Sequence, residues 1–409
     1  MVAGAGIAAG LAGGALTLLL HAVQHAAFGY SEATFVVGVE RASELRRVRV
    51  LLLAGVVAGL GWWVLRERFG PATGVTESVR YADGAMPLRR TVLDALLQVV
   101  VVGLGASLGR EGAPRETAAA LGCRFSNRCG LTPAQRRIVV ACAAGAGLAA
   151  VYNVPVGGAV FTLEVLLGSL NATLVVATLV SSALATAVAW TMLPNEATYR
   201  IPLQHNDFHS AIAAVPIGVA AGLAAVAFVR LVVFARGPKP VRGWLLVSTT
   251  VVFVALGALA VPYPQLLGNG KGPAQVAFDA GATPALLTAL VLLKPLATVA
   301  CLRSGAAGGL FTPVLSTGAL LGGLVGSGWS DLFSDPSGAY AVMGAAAVLA
   351  AATRAPVSAV VLIWELTHVR LAILAPVVAT VVIACVVARA FEDRSIYTVG
   401  LRHPVREAA

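Results

Sequence analysis

Residues 149–164 read Ala149-Ala-Val-Tyr-Asn-Val-Pro155-Val156-Gly-Gly-Ala-Val160-Phe-Thr-Leu-Glu164, and residues 350–365 read Ala350-Ala-Ala-Thr-Arg-Ala-Pro356-Val357-Ser-Ala-Val-Val361-Leu-Ile-Trp-Glu365. The alanine pair, the proline, both valines and the glutamate recur at one offset of 201 residues, about half of the 409-residue chain. A glycine-rich, proline-ended element precedes each copy: Gly109-Arg-Glu-Gly-Ala-Pro114 and Gly308-Gly-Leu-Phe-Thr-Pro313. Coincidences of this number at one offset predict two structural halves, about 1–200 and 201–409, within one transmembrane domain. Paired halves characterise transporter folds, in which the substrate lies between the repeats near the bilayer midplane. The sequence by itself leaves parallel and inverted pairing open.

The surrounding chain calls for a membrane. Apolar residues make up 58% and charged residues only 12%, about half the charged share, roughly 25%, of a soluble globular protein. The mean hydropathy of +0.85 agrees. A soluble enzyme, a disordered chain and a disulfide-framed secreted protein are excluded, and an all-α polytopic membrane protein of the cell membrane is expected. Apolar stretches long enough to cross or enter a bilayer fall near 2–23, 49–65, 92–108, 138–151, 154–170, 173–193, 211–235, 243–261, 284–302, 307–327, 339–352, 356–367 and 371–391. Several fall short of the roughly 20 residues of a full span. They are broken by Gly or Pro, as half-helices meeting inside a membrane are. Small-residue runs such as Gly318-Ala-Leu-Leu-Gly322-Gly323 permit close helix approach.

The net charge of +10 does not indicate nucleic acid. The basic residues form short clusters between apolar runs, among them Arg46, Arg47 and Arg49, Arg136 and Arg137, and Arg402 and Arg406. They are placed to anchor loops at anionic headgroups, and they also draw small anions. The five cysteines are scattered, and His21 and His25 have no third ligand beside them, so neither a metal site nor a cofactor is expected. Residues 1–22 lack the basic start of a cleaved signal and are expected to form the first helix. About 18 residues follow the last span, so no appended soluble module is expected.

The chemistry-bearing residues interrupt the apolar runs. Glu111 lies among glycines, where a carboxylate is costly unless compensated. It either complements a helix dipole or occupies an anion site at a helix N-terminus, leaving it when protonated. Gly305-Ala-Ala-Gly-Gly-Leu310-Phe311-Thr-Pro313 offers backbone N–H groups able to converge on an anion, or a tight turn between packed helices. Gly105-x-Ser107-x-Gly109 formally matches a hydrolase nucleophile elbow. An intramembrane serine peptidase is therefore the rival reading. The pattern lacks the strand it requires, and the histidines lie mostly at segment edges.

The chain resembles the CLC family of chloride channels and proton–chloride exchangers. Gly109-Arg-Glu-Gly is similar to the family's GREGP element and Gly309-Leu-Phe-Thr-Pro313 to its GxFxP element. Residues 147–164 and 345–367 are similar to the stretches that follow in each half, and Tyr397 falls at the family's pore tyrosine. The resemblance runs from about residue 10 onward, with the motifs in family order. It implies an inverted repeat of about 18 tilted, partly broken helices, and a homodimer with a separate pore in each subunit. It further implies a chloride or similar small anion held by the amides of Leu310 and Phe311 and the Tyr397 hydroxyl. Glu111 would be the gating glutamate at the outer side, flanked by Arg110 and Gly112 of the same anion-binding element. Transport, not enzymatic turnover, is the implied activity, with a proton-coupled fluoride exporter as the alternative within the family.

Three departures bear on mechanism. The family's GSGIP loop corresponds by spacing to Ala72-Thr73-Gly74-Val75-Thr76, where Thr73 replaces the usual serine. Ala113 replaces the proline of GREGP, with Pro114 one position later. Where many exchangers carry a second glutamate as inner proton relay, this chain has Val165, which cannot titrate. Glu164 shares its repeat position with Glu365, and a common structural role is expected of both.

Overall fold

The computed structural model describes residues 1–31, 34–202, 208–333, 338–399 and 401. His205, Arg402, His403 and Arg406 lie outside the described residues. Seventeen α-helices are present among the described residues, against the 18 or so expected. The first group comprises α1 (Val2–Phe28), α2 (Phe35–Arg41), α3 (Glu44–Phe69), α4 (Val75–Tyr81), α5 (Leu88–Gly103), α6 (Gly112–Arg128) and α7 (Pro133–Tyr152). Then follow α8 (Pro155–Phe161), which passes directly into a π-helical turn, Thr162–Leu167, and α9 (Ala172–Ala189). The remainder is α10 (Phe208–Ala235), α11 (Gly243–Leu259), α12 (Lys271–Phe278), α13 (Pro284–Arg303) and α14 (Phe311–Phe333), with α15 (Ala339–Thr353), α16 (Pro356–Thr367) and α17 (Leu374–Phe391) closing the chain. Eight helices among the described residues are long and apolar enough to cross a membrane.

Side-chain caps fix several entries. Ser43, Asn171 and Thr283 accept from the amide of the third residue of α3, α9 and α13, which satisfies donors that a helix start leaves free. Thr132 and Gln135 form a reciprocal capping box at α7. The centre is built from helices that are apolar all round: every residue of α15 is buried, as is α7 from Val139 to Tyr152. α14 packs against α15 through the small-residue run read from sequence. A Cβ on Gly322 would overlap the Tyr340 carbonyl, and one on Gly344 the carbonyl of Gly318. Dispersion between closely approached backbones takes the place of a hydrophobic drive here, since lipid is as apolar as the helices.

The two halves meet through reciprocal bonds. Gly109 and Gly309 form one antiparallel bridge, each donating its N–H to the other's carbonyl at 2.8 and 2.9 Å. At a second place the glutamates of the repeated stretch are exchanged. Glu164 accepts from the amides of Val357 (3.3 Å) and Ser358 (2.7 Å) and from the Ser358 hydroxyl (2.6 Å) at the start of α16. Glu365 accepts from Val156 (3.0 Å) and Gly157 (2.6 Å) at the start of α8. Glu164 follows α8 in the π-helical turn and Glu365 lies in the last turn of α16, and each caps the start of the other's helix, so the two copies run antiparallel. The operation that exchanges them therefore turns one copy over relative to the other, which makes the repeat inverted.

These caps are charge-assisted bonds to helix N-termini, each contributing about 1.5–3 kcal/mol. Glu365→Ala leaves two amides of α8 without their acceptor and is expected to cost about 1–3 kcal/mol. The cost is read as an earlier midpoint in denaturing-detergent unfolding of the reconstituted protein, with Glu365→Gln, which keeps an acceptor, losing less. A wild-type midpoint in the alanine variant would remove the cap from the list of stabilising contacts.

Candidate functional site

The Gly109–Gly309 bridge places the N-termini of α6 and α14 side by side in the interior. Glu111, the N-cap residue of α6, is fully buried. Its Oε1 accepts the Phe311 amide at 2.5 Å, the first N–H of α14. Its Oε2 accepts the Thr312 hydroxyl at 3.1 Å and the Tyr152 hydroxyl at 3.4 Å, and the two hydroxyls are 2.7 Å apart. A Cβ on either Gly109 or Gly309 would overlap this carboxylate, so the glycines of both motifs are the space it fills. A helix N-terminus with free amides and a hydroxyl pair is an anion site, and a carboxylate sits in it.

Of the residues singled out in the sequence, Glu111 and Phe311 are in direct contact. Leu310 is buried immediately before Phe311. Arg110 lies over the Tyr152 ring, 5.0 Å from its centroid, and donates to the Val151 carbonyl at 3.4 Å. Gly112 opens α6, and a Cβ there would stand 2.7 Å from the Gln98 Oε1. Tyr397 meets α6 further along. Its ring packs edge-on against Phe161 at 5.6 Å, and its buried hydroxyl has no hydrogen-bond partner among the described residues. Thr73 is half-buried in the loop before α4 and makes no hydrogen bond to any of these among the described residues. Val165 is buried within the π-helical turn, and its carbonyl accepts from Arg80 at 3.0 Å. Glu164, beside it, is engaged with α16 in the cap shared with Glu365.

Ser107 is fully buried and touches the Lys294 ammonium at 2.8 Å. Lys294 also donates to the carbonyls of Leu266 (3.0 Å) and Gly268 (2.9 Å). All three ammonium hydrogens are then used. The lysine is a fixed tripod that ties the 105–109 loop to α13 and the 266–268 turn. The peptidase reading finds no nucleophile that is both activated and accessible.

Two polar features escaped the reading of the sequence. Asp94 accepts from Trp62 (2.8 Å), Arg90 (2.8 Å) and Gln98 (2.8 Å), and Gln98 also donates to Glu116 at 2.9 Å. Arg90, Asp94 and Gln98 recur every fourth residue on one face of α5, a spacing that runs from just before the supposedly apolar run 92–108 into it. Lys294, alone in the stretch 284–302, carried a similar signal: an intramembrane cation implies a set of partners.

A family model described as "Voltage gated chloride channel" matches residues 54–389. A "Voltage-gated ClC-type chloride channel ClcB" of Shigella boydii is 31% identical over 372 residues, covering 87% of each chain. A ClcB-like protein of Ralstonia nicotianae is 32% identical over 334 residues, 77% of this chain and 75% of the relative. Among solved structures, a slow cyanobacterial Cl−/H+ antiporter superposes with a TM-score of 0.85 at 23% identity, over 98% of this chain and 96% of the other. A CLC-type fluoride/proton antiporter superposes with a TM-score of 0.78 at 20% identity, over 97% and 96%. The match to the family model and the relatedness to ClcB make this chain a multi-pass membrane protein of the voltage gated chloride channel (CLC) family, a transporter of anions and not an enzyme.

Proposed function

We propose that each subunit moves chloride past Glu111, whose carboxylate is the gate. The observation that carries this reading is the seat of that carboxylate on the Phe311 amide at 2.5 Å. Ionised, Glu111 fills a site built for an anion. Protonated, it loses the charge that the helix ends favour and yields the seat to chloride, which the amides of Leu310 and Phe311 then receive. The Arg110 and Gly112 segment holds the first turn of α6 against the opposite glycine motif. The Tyr397 hydroxyl, and the Thr73 hydroxyl at the start of α4, supply further donors along the path. Weak, multi-part coordination of this sort lets an anion leave as well as enter.

Protons reach Glu111 and leave it, but the chain supplies no carboxylate relay at Val165, and Glu164 is committed to a cap. Proton movement is therefore coupled to chloride movement loosely, below the fixed ratio of a tight exchanger. Chloride is preferred over fluoride as the substrate because the relatives at 30% identity or more are chloride channels, whereas the fluoride antiporter is a likeness of fold. We also infer a homodimer with one pore per subunit. α9 and α17 leave Val176, Val180, Val382 and Val386 exposed, faces that lipid or a second subunit would cover. The halves 1–200 and 201–409 form one transmembrane unit in this reading.

In proteoliposomes under a chloride gradient, chloride flux is expected to rise as pH falls, with sub-stoichiometric uphill proton movement. Glu111→Gln is expected to hold flux at its low-pH level across the range and to abolish proton movement; a retained pH response would unseat Glu111 as the gate. Gly309→Ala puts a methyl where the carboxylate sits, and is expected to raise flux at high pH toward the low-pH value. Light scattering in detergent should return about twice the 41.5 kDa chain mass, and a single-chain mass would remove the dimer.

A further inference from the structure

Arg115 lies one turn into α6 and is 7% exposed. Its guanidinium stacks over two rings, Phe161 at 4.8 Å and Tyr397 at 5.1 Å from the centroids. Its Nε is buried and finds no acceptor, and it pairs with no carboxylate among the described residues. Glu111, four residues earlier on the same helix, points its carboxylate away toward Phe311 and Thr312. Glu116, the next residue, is bonded to Gln98 of α5. α8 brings the Phe161 ring and the segment after α17 the Tyr397 ring. The Tyr397 hydroxyl, buried beside the guanidinium, finds no acceptor for its own proton.

A guanidinium cannot shed its charge in a protein, and a buried charge is retained only when it is paired. Ring faces attract the cation but accept none of its hydrogens in the plane of the guanidinium. Two donors on neighbouring side chains therefore lack an acceptor, one of them carries a full positive charge, and aromatic walls close the surroundings. Every missing element is supplied by one small anion.

We propose that Arg115 is an anion-binding residue, its guanidinium and the Tyr397 hydroxyl forming a fixed-charge seat for a small monovalent anion. This rests on the reading of the chain as a chloride transporter and adds a property to it. The site at Phe311 is contested by Glu111 and empties or fills with its protonation. No carboxylate contests the Arg115 seat, so an anion resides there whether the gate is open or closed. It sets the affinity at which chloride saturates transport.

The test uses the full chain in detergent and in liposomes, comparing wild type with Arg115→Gln and Arg115→Lys. Chloride, nitrate and fluoride are titrated by calorimetry, and thermal midpoints are taken in chloride and in gluconate. Arg115→Gln is expected to raise the chloride Kd and the half-saturating chloride of flux by about tenfold or more, the loss of a charged hydrogen bond. It is also expected to erase the extra thermal stability that chloride confers on wild type, which binding to the native state alone produces. Arg115→Lys keeps the charge and should stay within about threefold of wild type in Kd. A purely structural arginine would instead lower the midpoint equally in both salts and leave Kd unchanged, and that result overturns the proposal. Should the variants fail to fold, wild-type crystals grown in bromide decide the matter. Anomalous density within hydrogen-bond reach of the Arg115 Nε supports it, and bromide found only at other sites overturns it. Unaltered chloride binding in Arg115→Gln alongside a working Glu111 gate would sink this inference alone, whereas wild type without anion flux would sink the transport reading as well.

Discussion

The pair of hydrogen bonds between Gly109 and Gly309 is the constraint on which the rest of the molecule is arranged. Two helices begin beside it, α6 and α14, and both point free amides into the interior of a membrane protein. In lipid such amides have no water to turn to. They need an acceptor, and the absence of side chains on both glycines leaves the room for one. Glu111 is the acceptor the chain carries with it. The same geometry that makes the site costly when empty makes it selective for something negative, compact and replaceable.

Few charges lie in the interior, and the way each is compensated separates structure from transport. Lys294 is surrounded by three oxygens. Asp94 is held by an arginine, an indole and an amide. These groups are fully satisfied by the protein, so they fix loops and helices and have no call for a ligand. Glu111 is satisfied by groups that would serve another anion equally well, and the Arg115 Nε finds no acceptor. Exchangeable compensation at Glu111 and an unpartnered Nε at Arg115 thus set these two apart from Lys294 and Asp94.

How much of this could be read in the sequence depended on whether a residue acts through its neighbours in the chain or through space. The offset of 201 residues, the glycine motifs and Glu111 were legible because both copies of a repeat must keep the same backbone geometry. The long spans were legible from hydropathy, with ends displaced by a few residues: the run 92–108 ends its helix at Gly103, and the run 307–327 begins its helix only at Phe311. Four helices were invisible to that signal. α2, α4 and α12 are only seven or eight residues long, and α6 carries three arginines and a glutamate. Such short or charged segments carry no sustained apolar run for hydropathy to detect. Arg115 was illegible for a different reason. Its meaning comes from Phe161 and Tyr397, which are distant in sequence, and from a partner that is missing.

The exchange of Glu164 and Glu365 across the repeat also bears on protons. Glu164 accepts two amides and a hydroxyl at the start of α16, and Glu365 accepts two amides at the start of α8. Symmetry therefore argues against giving one of the pair a transport role that the other does not share. With Val165 unable to titrate and its carbonyl tied to Arg80, the π-helical turn is a packing element. Glu111 differs from both, because its partners, the Phe311 amide and the Thr312 and Tyr152 hydroxyls, are donors that another anion could equally use.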